Sequence, residues 1–145
     1  MKFLSALQPL GLLVLRFCLA IIFMYNGYPK LVHANEALRD FFIARGLPGY
    51  FVGVAGTLEC FGAILLVTGL FTRPVALLLT VEMCVAIWKV HSGHGLMAVK
   101  EYEFPLTVAS ACFALATVGA GLISLDHLIF GEAGKKRRTA KSGKD

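Results

Sequence analysis

Four long apolar runs, each broken by at most one charge, organise the chain. Phe3 to Pro29 carries only Arg16, Gly46 to Thr72 only Glu59, Pro74 to Trp88 only Glu82, and Phe104 to Leu125 no charge. A helix needs about 20 mostly apolar residues to cross the hydrocarbon, within a range of roughly 17 to 25. Three runs reach that length. The third is shorter, but Val90 extends it and Lys89 can snorkel. The pattern predicts an all-α protein, an integral membrane four-helix bundle with spans near 7–28, 49–70, 74–91 and 104–125. Helices of a soluble bundle would carry a polar outer face, and these runs have none. A cleavable leader is not expected, because Arg16 interrupts its apolar stretch and no A-x-A site follows.

The connections differ in kind. In "FMYNGYPKLV", Asn26-Gly27 is a hairpin dipeptide and Tyr28-Pro29 resists helix continuation. Between apolar runs, these residues instead mark the outer end of the first span, with Lys30 reaching the headgroups. "NEALRDFFIARG" offers Asn35 as a cap and Gly46 as a C′ residue. Leu38, Phe41, Phe42 and Arg45 fall at i, i+3, i+4 and i+7, so a short amphipathic helix is predicted in the first outer loop. Residues 71–73 read as a tight turn, with Thr72 as N-cap and Pro74 in the first helical turn. The segment 92–103 reads as irregular. A domain over 1–131 is thus followed by a basic tail, 132–145, expected to be disordered.

Composition sharpens this picture. Residues are 57% hydrophobic and only 16% charged, against roughly 25% charged in an average soluble domain. Residues 134–145 hold six basic side chains against Asp145, which accounts for the whole net charge of +5. The body is neutral, so nucleic acid is not an expected partner. With four spans both termini share a side. That side holds Lys2, Arg73 and the tail; the other holds Lys30, Arg39, Arg45, Lys89 and Lys100, diluted by acids. Both termini are expected in the cytoplasm, with the tail drawn to anionic lipid. Cys18, Cys60, Cys84 and Cys112 sit in separate apolar runs without zinc spacing. They read as small helix-compatible side chains.

Charges at membrane depth carry the candidate chemistry. At about 1.5 Å per residue, Arg16 and Glu59 lie about 15 Å from opposite edges and Glu82 about 12 Å in. All three are expected near the midplane as one polar cluster, with Arg16 paired to Glu59, Glu82 or both. An ionisable group there costs at least about 2.5 kcal/mol unless it faces protein. Two carboxylates against one guanidinium leave one excess, expected to be protonated or hydrogen-bonded. Ala55, Glu59, Gly62, Leu66 and Gly69 share a face on which small residues admit another helix. Gly62 and Gly69 alternatively supply a homo-oligomer contact. The bland reading, a buried pair that fixes helix register, stands beside a proton-carrying or ligand-binding one.

A second polar group gathers at the outer mouth: Tyr25, Asn26, Tyr28, Lys30, Trp88, Lys89, His91 and His94. Much of it suits an interfacial aromatic belt. It also suits the polar head of a lipid-soluble molecule such as a quinone. The histidines of "HSGH" are three apart, but Gly93 and Gly95 favour a loop, so no metal site is expected. No nucleophile–base pair or nucleotide loop is visible.

The chain resembles the DoxX family of small bacterial membrane proteins along nearly its whole length before the tail. "LRFCLAIIFMYNGYPKLV" is similar to the family's Arg-led first helix, with Gly27, Lys30 and Leu31 as the Gly-x-x-Lys-Leu motif. "GTLECFGAILLVTGLFTR" resembles the second-helix signature through Glu59, Gly62, Gly69, Leu70, Thr72 and Arg73. "GAGLISLD" resembles the closing stretch through Gly119, Gly121, Ser124, Leu125 and Asp126. Asn26 stands where many relatives have His, and Gly62-Ala63 where Gly-Gly is expected. The resemblance implies a bacterial inner-membrane protein acting as a subunit or anchor of a quinone-linked or oxidative-stress redox complex, with a soluble redox partner. On that reading it is part of an oxidoreductase rather than a self-sufficient enzyme. A small proton-coupled transporter and a lipid-interacting module without turnover are the alternatives.

Overall fold

The computed structural model describes residues 6–33, 36–91 and 99–129. No strand occurs among them. Among the described residues the helices are α1 (Gln8–Val32), α2 (Glu36–Ile43), α3 (Phe51–Thr68), α4 (Thr72–Ala86) and α5 (Val99–Val118), followed by a helical stretch over 125–129. A π-helical turn, Ile87–His91, continues α4. The tail, Asn35, the 92–98 segment and His94 lie outside the described residues, as does the side chain of His91.

α1 packs along α3, and α4 along α5. The two pairs meet at a thinner seam. Leu19, Phe23, Leu66, Leu79, Cys112 and Leu115 form the buried centre. The outward faces are also apolar: Val14, Phe17, Ile21, Phe61, Ile64, Leu77, Val81 and Phe113 are exposed. A fold with oil inside and outside is not built for water. Between helices in lipid, association rests on close packing rather than on the hydrophobic effect. Glycines supply that closeness. A Cβ on Gly27 would lie 2.7 Å from Glu59 Cβ, and one on Gly56 2.9 Å from Lys30 Cβ. Gly62 is closed over by Leu79, and Gly69 by Arg16 and Ser124. The last two are therefore used inside the chain and are not a free homo-oligomer face.

Several helix ends differ from expectation. α1 runs through Pro29 to Val32. Proline removes one backbone donor, the N–H that would have bonded the Tyr25 carbonyl, without ending the helix here. The final turn still closes from His33 N to Pro29 O. Asn26-Gly27 is therefore helical, neither a hairpin nor a helix end. α5 stops at Val118 rather than near 125, because Gly119 and Gly121 adopt φ of +92° and +80°. Its start is earlier than expected, with Pro105 inside the helix. The 71–73 turn is present, but Thr72 is not its cap. Phe71 takes that place at φ +50° and makes no side-chain cap bond. The predicted short helix is found as α2. Gly46, at φ +72°, closes it as expected of a C′ residue: Gly46 N bonds Ile43 O and Leu47 N bonds Phe42 O, the paired bonds of a Schellman ending.

Candidate functional site

The expected cluster of Arg16, Glu59 and Glu82 divides into two centres. Arg16 is fully buried but touches neither carboxylate. Its Nη1 donates to Ala120 O at 2.7 Å and Ile123 O at 2.9 Å, and its Nη2 to Val67 O at 3.4 Å. These are carbonyls at the ends of α3 and of the α5 region, where backbone acceptors have no helical partner. Asp126 completes this knot. Its carboxylate accepts from Phe71 N at 2.8 Å and Thr72 N at 2.9 Å, capping α4. Its own N–H donates to Gly69 O. Arg73 Nη2 donates to Val118 O.

Each charge lies deep when counted from its own helix end, but the register of the helices sets which of them share a level. In the antiparallel α1–α3 pair the level of Arg16 is that of Gly69, where α3 has already ended. Glu59 instead lies level with Gly27, about 16 Å further along α1 at 1.5 Å per residue.

Lys30 answers Glu59. Its Nζ donates to both carboxylate oxygens, at 2.7 and 2.8 Å. Lys30 is 23% exposed and Glu59 only 1%. The glycines explain the pairing. Gly27 and Lys30 are three apart on α1, and Gly56 and Glu59 three apart on α3. In the antiparallel register Gly27 faces Glu59 and Gly56 faces Lys30. Each glycine removes the side chain that would hold the helices apart, and the two charges close across the gap.

Glu82 belongs to this second centre. Both its carboxylate oxygens are buried without a hydrogen-bond partner among the described residues. It lines a cavity of about 250 Å³ with Lys30, Glu59, Phe42, Leu47 and the facing apolar sides of α3 and α4. A smaller cavity, about 160 Å³, lies behind, lined by Asn26, Phe104 and Pro105. Lys30, Glu59 and Met83 line both.

The outer-mouth group is divided too. Asn26 and Lys30 face these cavities, and the Asn26 amide donates to Ile22 O at 2.8 Å. Tyr25, Tyr28 and Trp88 point outward. Lys89 lies over the Trp88 ring at 4.8 Å, away from the ion pair. Leu47, Met83, Phe104 and Pro105 carry no signal of a site in the sequence, and Phe42 reads there only as part of the short amphipathic helix. The matched Gly-x-x-Lys and Gly-x-x-Glu spacings were the available signal for the Lys30–Glu59 pair.

An apolar exterior and two helices, α1 and α3, long and apolar enough to cross a bilayer support a helical membrane protein. The DoxX family model matches residues 11–92, and the chain belongs to the DoxX family. Bacillus subtilis (strain 168) has a relative named "Putative oxidoreductase CatD", 32% identical over 88% of this chain and 91% of its own. The Escherichia coli (strain K12) "Inner membrane protein YphA" is 29% identical over 85% of this chain and 93% of its own. "Inner membrane protein YqjF" from the same organism is 27% identical over 85% and 95%. No solved structure matches the chain.

Proposed function

We propose that the chain is a four-span bundle of the bacterial plasma membrane, with both termini cytoplasmic, and the membrane subunit of a quinone-linked redox complex. The observation that carries this is Glu82: a carboxyl without a hydrogen-bond partner among the described residues, beside a closed Lys30–Glu59 pair, all three lining an otherwise apolar cavity. A buried polar group without a partner is costly, and a ligand carbonyl or hydroxyl would satisfy it. Lys30 offers a second donor nearby. The oxidoreductase name of the Bacillus relative and the family resemblance both favour redox work. No complete set of catalytic groups is present among the described residues, so electrons would come from a soluble partner protein. The six basic tail residues suit a cytoplasmic face rich in anionic lipid.

The test is extraction of lipid-soluble compounds from the purified protein. Quinone is expected with the wild type and sharply less with Glu82→Gln at equal fold stability. Finding no quinone, together with unchanged membrane redox behaviour in a deletion strain, rejects the proposal. The same lone carboxyl favours a second reading, a proton-coupled transporter. Solute flux in proteoliposomes that needs a pH gradient and stops with Glu82→Gln would establish it instead.

A further inference from the structure

We infer that the ligand of the Lys30–Glu82 cavity enters sideways from the bilayer, between α3 and α4, as an uncharged ring with hydrogen-bonding oxygens. This rests on the quinone reading and adds a route and an orientation to it.

The cavity walls are two helical stripes. Val54, Ala55 and Leu58 stand at i, i+1 and i+4 on α3; Leu78, Val81 and Val85 stand at i, i+3 and i+7 on α4. Val54, Leu78 and Val81 are each more than half exposed, so the walls run without interruption onto the apolar outer surface. The polar groups, Lys30, Glu59 and Glu82, are their inner end. Phe42 and Leu47, from α2 and the turn after it, also line the cavity. An apolar molecule in the membrane thus meets an apolar path.

The walls also select the head. No polar side chain lines the path before Glu82, so a permanently charged head would lose its hydration with nothing to replace it. At the inner end Lys30 and Glu59 already satisfy each other, which leaves Glu82 and the Lys30 ammonium to meet oxygens that donate or accept. The ring therefore sits inward and an alkyl tail trails outward between the stripes. The second cavity, between α1 and α5, is separated from this one by Lys30, Glu59 and Met83 and is not on the path.

The test uses the full chain in lipid nanodiscs and an azido-decylbenzoquinone as photoprobe, with labelled peptides mapped by mass spectrometry. Labelling competed by unlabelled decylbenzoquinone is expected within 54–58 and 78–85. Ala55→Trp is expected to lower it at least tenfold. Phe113→Trp, on an exposed face lining neither cavity, leaves it unchanged. If Ala55→Trp does not fold, Val81→Trp, whose side chain is already exposed, replaces it with the same expectation. Competed labelling confined to 22–26 and 104–105 overturns the lateral route while leaving a quinone site. Labelling displaced more readily by decylammonium than by decylbenzoquinone overturns the uncharged occupant. Labelling that unlabelled decylbenzoquinone does not compete removes both the route and the quinone reading.

Discussion

Two buried polar centres sit about 20 Å apart along α1 at 1.5 Å per residue, and they solve the same problem in opposite ways. At Arg16 the two terminal guanidinium nitrogens are spent on backbone, while Nε has no hydrogen-bond partner among the described residues. Three carbonyls receive its protons, and Asp126 receives two backbone N–H groups. A cavity of about 670 Å³ lies beside this centre, lined by Gln8, Arg73, Ser124, Asp126 and His127. At Lys30 the bonds run between side chains, and one carboxyl, Glu82, is left over against a cavity. The first centre chiefly ties helix ends together, and the second sets an unmatched carboxyl against an apolar cavity.

The largest effect should come from the first centre. Arg16→Ala leaves one buried and two part-buried carbonyls without their donor, at about 1–3 kcal/mol for a fully buried unsatisfied group. Loss of monodisperse protein on size-exclusion in detergent is expected. Arg16→Lys should not rescue it, because a point charge cannot fork as a guanidinium does. Wild-type behaviour of either variant would abolish the distinction between the centres.

Lys30→Met comes next. It strands the buried Glu59 carboxylate, which should cost about 3–5 kcal/mol. The double variant Lys30→Met with Glu59→Met should recover most of that in thermal melts, since an apolar pair can replace a buried ion pair. Gly27→Ala and Gly56→Ala follow. The added Cβ meets Glu59 or Lys30 within 3 Å, and overpacking of this kind costs about 1–3 kcal/mol. A shift in melting temperature for both, but not for Gly11→Ala, which has open space around it, would confirm the close approach. Asp126→Ala should lose only the capping of α4, about 0.5–2 kcal/mol. The smallest effect on stability belongs to Glu82→Gln. With no hydrogen bond to lose among the described residues, it should melt closest to wild type while losing bound quinone. A large destabilisation there would mean that Glu82 is structural after all.

Much of this was legible in the sequence. The lengths and purity of the apolar runs located all four long helices, and Leu38, Phe42 and Gly46 located α2. Element ends were less legible where tertiary partners decide them. Pro29 reads as a stop, yet α1 continues through it to Val32. Thr72 reads as a cap, but its hydroxyl is buried without a hydrogen-bond partner and Asp126 caps from a distant segment. The candidate site was half legible. Glu59 and Glu82 stood out as lone carboxylates, and Lys30 was noticed as an interfacial residue. Their union depends on helix register, and only the two Gly-x-x-charge spacings encode that. Arg16 misled because a buried arginine suggests a carboxylate, whereas helix ends offer carbonyls in number.

The cap on α4 has a consequence for how the chain is made. Asp126 lies 54 residues beyond the Thr72 N–H it binds, and Arg16 waits for a carbonyl 104 residues downstream. A ribosome delivers these partners last. The polar ends of the earlier helices must therefore stay provisional until that later segment arrives. Nascent chains arrested after residue 118 should be open to proteases at the 69–72 turn, and chains released past residue 129 should not.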